Sequence, residues 1–329
     1  MTPKRAEEIV SQFSGKKILV VGDVVIDHYV HGVVERLNPE APVPILEARE
    51  EHEATGGAGN TAKNLAQLGA DTVVVGVVGK DEGASRYRAL AEKEGYRPVV
   101  IEDISRPTTR KVRHIVNSQQ LLRVDYEKVA NVSEQVEDEI IEAIKHEVKQ
   151  GAQAILVSDY AKGVVTRRVA ETVMDAKRNG IFVAADIKPS RAPYFIGVDF
   201  ISPNRKEAHE ILALNQHEQG GRQAKELAHL LQEKMQCDVY VTLSADGVYV
   251  LTKDGVEKHV PQDHRVEVFD PSGAGDTSAA TMTLAYLAGA TPEEVAILSN
   301  AAGAVVVQKV GSVGLTQQEL LNMLEHRHE

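Results

Sequence analysis

The stretch NTAKNLAQLGADTVVVGVVG, residues 60–79, decides the fold. Its first half carries apolar residues at helical spacing and stops at Gly69. Its second half is a short, β-branched apolar run, the pattern of a buried strand. The same pair recurs along the chain. KKILVVGD (16–23) reads as a strand and SRYRALAEKEG (85–95) as a helix. GAQAILVSD (151–159) is a strand, followed by a helix from about Thr166 to Arg178. IFVAADIK (181–188) and VDFISPN (198–204) continue the rhythm. CDVYVTLSADGVYVLT (237–252) reads as a strand, a turn at Ala245-Asp246-Gly247 and a returning strand. Such βαβα alternation predicts an α/β fold: a mainly parallel central sheet with helices on both faces.

Two segments break the rhythm. Val30 to Glu47 is polar and proline-rich before the β-type run VPILEA. Thr108 to Asp125, TTRKVRHIVNSQQLLRVD, holds two extended runs around a turn at Asn117-Ser118. Both fit strands that leave the main sheet as a small β-flap; edge strands of the same sheet are the alternative. The final EHRHE reads as a solvated helix end. With no repeat or linker in sight, residues 1–329 are expected to form one domain.

Composition narrows the class. The 329 residues are 43% hydrophobic but only 4% aromatic, with no Trp, so the core is aliphatic. A formal net charge of -11 argues against a nucleic-acid surface, while leaving room for a local basic pocket. One cysteine, Cys237, excludes an internal disulfide and suggests a reducing compartment. The start, MTPKRAEEIV, does not resemble a signal peptide, and no apolar run approaches a membrane span. The expectation is a cytoplasmic protein.

Open α/β sheets bind ligands at the carboxyl ends of their strands. Five such sites follow the strands: Asp23 and Asp27, Asp159 and Lys162, Asp186 and Lys188, Asn204 and Glu207, and SADG (244–247). Five polar sites on one rim point to a cleft. TGGAGNTAKN (55–64) could pass for a dinucleotide fingerprint, but it does not follow the first strand as that motif requires. Backbone approach to a polyol fits better, with Gly56 and Gly57 opening the site and Asn60 offering an amide. P-loop, HExxH, CxxC and GxSxG motifs are absent.

VFDPSGAGDTSAA (268–280) then reads as an anion cradle. Gly273, Ala274 and Gly275 open a helix whose N–H groups and dipole favour negative charge. Asp276, in the first turn, can take a proton from a substrate hydroxyl while those groups steady a transferring phosphoryl. The plain alternative is a helix cap with Asp276 stabilising the dipole. Asn204-Arg205-Lys206-Glu207 suits magnesium and nucleotide phosphates, Glu207 acting mostly through water; an ordinary helix-start glutamate is the alternative.

These motifs resemble those of the ribokinase-like (PfkB) carbohydrate kinases, from about Lys16 to Gly314. DPSGAGDT is similar to that family's C-terminal signature, GGAGNTAKNLAQLGA to its N-terminal glycine signature, and SPNRKE to its N-x-x-E element. Within the family, VVGDVVIDHYVHG, LNPEAPVPIL, NSQQLLRVD and SDYAKG resemble the D-glycero-D-manno-heptose-7-phosphate kinases. The resemblance implies ATP- and Mg2+-dependent phosphorylation of the anomeric hydroxyl to the 1,7-bisphosphate, toward ADP-heptose for lipopolysaccharide. Ribose, fructose or another hexose is the alternative substrate, and a non-catalytic sugar-binding protein the least favoured.

Carried over, Asp276 is the base and Gly273, Ala274 and Gly275 the anion hole. Asn204, Arg205, Lys206 and Glu207 take the nucleotide phosphates and magnesium. Thr242, Ser244 and Gly247 border the nucleotide, with Asn300 to Gly303 nearer the base. Asp23, Asp27, Gly56, Gly57, Asn60, Asp159 and Asp186 line the sugar side. Lys162, Lys188 and Arg123 are candidates for the sugar or its phosphate, with Lys111 and Arg113 competing. The flap, about 30–47 and 108–125, becomes a lid that also pairs two protomers. A nucleotidyltransferase often fused to this kinase is expected on another polypeptide. Pro271 and Ser272 depart from the family pattern, as does Ile187 in place of a proline, which bears on how Lys188 points.

Overall fold

A computed structural model describes residues 1–117, 119–214, 223–263 and 266–325. Ser118, in the expected turn, and the last four residues of the tail lie outside them. The chain opens with α1 (Pro3–Ser11), capped by the Thr2 hydroxyl and started by Pro3. Then follow β1 (Lys17–Gly22), β2 (Val24–Leu37), β3 (Pro44–Gly57), α2 (Ala58–Gln67), β4 (Asp71–Gly79), α3 (Glu82–Lys93), β5 (Arg97–Asp103), β6 (Arg110–Val116) and β7 (Gln119–Tyr126). The second half holds α4 (Glu134–Lys149), β8 (Ala154–Ser158), α5 (Arg167–Arg178), β9 (Phe182–Asp186), β10 (Phe200–Ile201), α6 (Arg205–Ile211) and α7 (Ala224–Met235). It ends with β11 (Asp238–Thr242), β12 (Val248–Leu251), β13 (Glu257–Val260), α8 (Ala274–Leu287), α9 (Pro292–Val306) and α10 (Gln317–Glu325).

Among the described residues, nine strands form one sheet in the order β13-β12-β11-β10-β9-β8-β1-β4-β5. Pairing is parallel from β5 to β11, and β12 and β13 are antiparallel. Alternate residues face opposite ways, as the two-residue strand period demands. Ile18 and Val20 join a core under α2, α8 and α9. Leu19 and Val21 join the core under α4, α5 and α7. Both faces being covered explains the near-continuous apolar strands. The order of strand addition switches at β1, with β4 and β5 on one side and β8 to β11 on the other, and polar residues follow the carboxyl ends on this rim. No described helix is long and apolar enough to cross a membrane.

The two segments that break the rhythm form a second, four-stranded sheet, β3-β2-β6-β7, rather than edge strands of the first. It is larger than the expected 30–47 and 108–125. β2 and β3 pair from Val24–Gly57 out to Leu37–Pro44, so Asp27, Gly56 and Gly57 belong to this sheet. The apolar run Val24 to Ile26 is buried and carries the ladder back to the body, which patterning alone hid. At the other end Thr108 precedes β6; its hydroxyl donates to Asp81 at 2.6 Å and fixes the entry. The expected strand at 198–204 shrinks to β10, because Asn204 turns to cap α6.

Candidate active site

Gly273 caps α8 at φ +78°, a left-handed conformation that favours glycine. A Cβ there would stand 2.6 Å from Asn60 Nδ2. Bare backbone is therefore what lets α2 and α8 meet. Asn60 Nδ2 donates to Asp276 Oδ2 at 2.7 Å, and Thr61 Oγ1 lies 3.1 Å from Asp276 Oδ1. Thr61 Oγ1 is also 3.2 Å from Ser158 Oγ. Its single proton goes to the carboxylate, the charged and stronger acceptor. Tyr160 OH donates to the same Oδ1 at 2.7 Å. Asp276 is only 3% exposed. Burial raises its pKa from the usual carboxylate value, the three donors oppose that, and Asp27 adds to it.

Not every group of the expected cradle is available. Ala274 N–H turns back to Pro271 O at 3.3 Å, and Thr277 N–H is bonded to Gly273 O. The N–H groups of Gly275 and Asp276 have no partner among the described residues. Gly275 also differs from Gly273 in its surroundings: a Cβ added to it meets nothing within 4 Å.

On the side expected to meet the sugar, Asp27 Oδ1 accepts from Arg113 at 2.5 Å and Oδ2 from Ser312 Oγ at 2.9 Å. A Cβ on Gly56 would collide with that carboxylate at 2.2 Å. Gly57, at φ +58°, is pressed against Asp23 O. Asn60 Oδ1 is buried without a partner, so a buried acceptor beside Asp276 lacks a donor.

Asp23 and Asp159 face the loop instead. Asp23 accepts the backbone N–H groups of Tyr160, Lys162 and Val164 at 2.9, 3.0 and 3.1 Å. Asp159 accepts those of Ala161 and Lys188. Burial and the Asp23 charge raise the Asp159 pKa. Asp186 is pushed up to about 7, by burial first and then by Asp276 and Glu207, with Lys188 opposing.

The expected cations divide. Lys188 Nζ pairs with Glu207 Oε1 at 2.9 Å and sits 5.7 Å from the Tyr160 ring centre, which draws it toward the N-x-x-E helix. Lys111, Arg123 and Lys162 converge on two carboxylates. Lys111 lies 3.0 Å from Asp125 and 3.7 Å from Glu127, Arg123 2.8 Å from Asp125, and Lys162 2.7 Å from Glu127. Arg113 stays on Asp27, and its guanidinium lies 5.2 Å from the Tyr29 ring centre.

Asn204 and Glu207 form a capping box on α6, and Glu207 Oε2 accepts the Asn204 N–H at 3.2 Å. Arg205 lines a hollow of about 490 Å3 together with Leu243, Asp246, Tyr249, His259 and Gln262. Lys206 does not join it; its side chain is 85% exposed and leans to Glu210. Thr242 N–H is bonded to Pro203 O. Ser244 O accepts from Gly247, whose φ is +90° and whose Cβ would strike Val260 O. Asn300 Nδ2 braces Val260 O and Pro261 O at 3.1 Å, so it supports the wall of the hollow. Gly303, within α9, faces Ser278 Oγ at ordinary contact distance.

Sequence reasoning missed Tyr160, Thr61 and Ser312. Tyr160 lay in the quoted SDYAKG, but an aromatic after a strand reads as packing until the fold turns it toward Asp276.

A pfkB family carbohydrate kinase profile matches residues 15–318. The chain is 38% identical over 322 residues to the bifunctional protein HldE of Bradyrhizobium sp. (strain ORS 278), covering 95% of this chain and 64% of that protein. A bifunctional protein HldE of Caulobacter vibrioides is 38% identical, with 94% and 63% covered. The chain thus spans less than two thirds of the length of these relatives. Phosphofructokinase-2 from Escherichia coli, solved in complex with potassium, superposes with a TM-score of 0.77 at 16% identity, over 96% of this chain and 100% of that one. Ribokinase from Thermotoga maritima gives 0.69 at 22% identity, over 94% and 99%. These two show the ribokinase-like fold. With the profile spanning most of the sequence, the chain belongs to the pfkB family and is a carbohydrate kinase.

Proposed function

We propose that this kinase transfers the γ-phosphoryl of ATP to the anomeric hydroxyl of D-glycero-D-manno-heptose 7-phosphate, within ADP-heptose synthesis. The observation that carries the sugar-phosphate reading is the placement of Lys111. It is the register partner of Asp27 across β2 and β6, so the Lys111, Arg123 and Lys162 cluster begins one strand from the sugar-side carboxylate. Three cations face two carboxylates there, Asp125 and Glu127, leaving one positive charge for a phosphate. The likeness of SDYAKG and NSQQLLRVD to the heptose kinases supports the same sugar.

Asp276 takes the proton of the attacking hydroxyl, and Asn60 Oδ1 accepts a neighbouring sugar hydroxyl. The N–H groups of Gly275 and Asp276 face the transferring phosphoryl, in the open space beside Gly275. That space fits a phosphate, since neither backbone conformation nor packing explains a glycine there. Arg205 and the hollow beside it would receive the nucleotide. Glu207, with a carboxylate at the cleft, would hold magnesium through water. When bound, the ion neutralises phosphate charge. Lys188 offsets Glu207 and must yield or be shared when the ion arrives. The four-stranded sheet acts as a lid that excludes water.

The outer face of the lid supports a homodimer. Val30, Leu46, Val112, Val124 and Tyr126 line a hollow of about 420 Å3 there. A monomeric mass by light scattering at micromolar concentration removes that pairing.

A neutral sugar is the second reading, favoured by the carboxylate partner that each cation of the cluster already has. ADP release is measured with heptose 7-phosphate, fructose 6-phosphate, ribose and fructose. Turnover confined to the heptose phosphate supports the proposal. Turnover on ribose or fructose alone discards the phosphate role of the cluster.

A further inference from the structure

Tyr160 has no part in the reaction as proposed, yet its place in the cleft is fixed from several sides. The loop that carries it follows β8. Asp23 gathers three N–H groups of that loop and Asp159 one more. Ala161, the next residue, is held at φ +57°, a conformation costly for a side chain. Gly163 follows at φ +105°, where a Cβ would strike Ala130 O at 2.0 Å. The outcome of this constraint is a phenol O–H on Asp276 Oδ1 at 2.7 Å, with the Lys188 ammonium near the ring.

A carboxylate offers about four lone-pair sites. Thr61 and Tyr160 take two on Oδ1, and Asn60 takes one on Oδ2. One direction on Oδ2 remains, and it lies on the oxygen shared with Asn60, whose own Oδ1 lacks a partner. We infer that Tyr160 is a positioning residue for Asp276: its hydroxyl fixes Oδ1, so that the free lone pair of Oδ2 is the one presented to the substrate hydroxyl. This rests on Asp276 being the base.

The phenol also sets when the base is ionised. Asp27 from β2 acts on Asp276 with like charge, while Asp186 from β9 is itself pushed up by Asp276. Lys63 from α2 attracts it, Arg113 offsets Asp27, and Lys188 lies beyond the Tyr160 ring. Against that background a donor at 2.7 Å favours the charged carboxylate.

The test is the pH dependence of kcat/KM for the sugar phosphate that turns over, compared between the parent enzyme and Tyr160→Phe. Loss of a hydrogen bond to a charged group should raise the acid limb by about one to two pH units. KM for ATP should stay within about twofold, since the phenol touches no part of the nucleotide hollow. An acid limb that stays in place while turnover falls equally at every pH overturns the inference and leaves Tyr160 a packing residue. Incorporating 3-fluorotyrosine at position 160 gives a stronger donor of nearly the same shape. It should lower the acid limb, and it decides the matter if the phenylalanine variant does not fold; an unmoved limb again overturns the inference. Asp276→Asn separates the two claims. Full turnover in that variant removes the base itself. An inactive Asp276→Asn with an unmoved limb in the Tyr160 variants removes only the role of Tyr160.

Discussion

Asp276 and Glu207 are both carboxylates in the first turn of a helix, yet they are held in different ways. Asp276 is buried and meets only neutral donors: an amide, a hydroxyl and a phenol. Glu207 closes its own capping box and pairs with the Lys188 ammonium. The first arrangement keeps a proton acceptor aimed without neutralising it. The second keeps a charge compensated until something more positive arrives. Two similar sequence positions, D in GAGD and E in NRKE, thus gain different surroundings through their neighbours, one suited to the proposed base and the other to the proposed cation holder. The largest expected effect breaks this contrast at its first member. Asp276→Asn keeps the shape, and its oxygen can still accept from Thr61 and Tyr160, but its NH2 meets the Asn60 amide as donor to donor, and it cannot take a proton. Turnover should fall by about 10²–10⁴, the usual worth of a positioned base, with ATP binding by calorimetry near that of the parent. Unchanged turnover would remove the distinction between the two carboxylates.

Next in size are the glycines that precede Asp276. Gly273→Ala meets both a positive φ and the Asn60 amide at 2.6 Å. It should destabilise the fold by about 1–3 kcal/mol and misplace the amide that holds Asp276. Gly275→Ala meets nothing within 4 Å. Its thermal unfolding should match the parent, with a change within about 0.5 kcal/mol, while kcat/KM for ATP falls at least tenfold. Equal loss of stability in both variants would mean that Gly275, too, serves packing and that the open space is not a phosphate seat.

How legible this was follows from the same residues. The alternation from Lys16 to Thr252 carried the main sheet, because strands covered on both faces are apolar runs that composition alone displays. The second sheet was seen in part. Its outer halves are polar and break the pattern, whereas Val24 to Ile26 are buried and lie in neither the strand read at 16–23 nor the flap read from Val30. Helix α4 left a signal in Ser133 before Glu134, and α9 in the Thr291–Glu294 capping box. At the site, Asp276, Asn60 and the glycines were legible because small residues around an acid are unusual at a helix mouth. Asp23 and Asp159 looked the same as Asp27 in sequence. Only the fold shows that they hold backbone N–H groups while Asp27 holds Arg113 and Ser312. Cations were least legible, since Lys188 and Lys162 are equally placed after strands and turn to different carboxylates.

Asp186 sharpens the comparison most finely, because both carboxylates act on it. It is pushed up to about 7 by burial, then by Asp276 and by Glu207. Between about pH 4 and pH 7 the folded chain holds a proton there that the unfolded chain releases. Stability from this group is therefore greatest below pH 4 and declines as pH rises toward 7. Asp186→Asn cannot titrate and carries no charge toward its neighbours. Relative to the parent, its Tm should rise by a few degrees at pH 8 and gain nothing at pH 4, as followed by circular dichroism. A difference that is the same at both pH values would mean that Asp186 is ionised throughout. The like charges of Asp276 and Glu207 would then be screened from it, and the two helix mouths would be electrically independent.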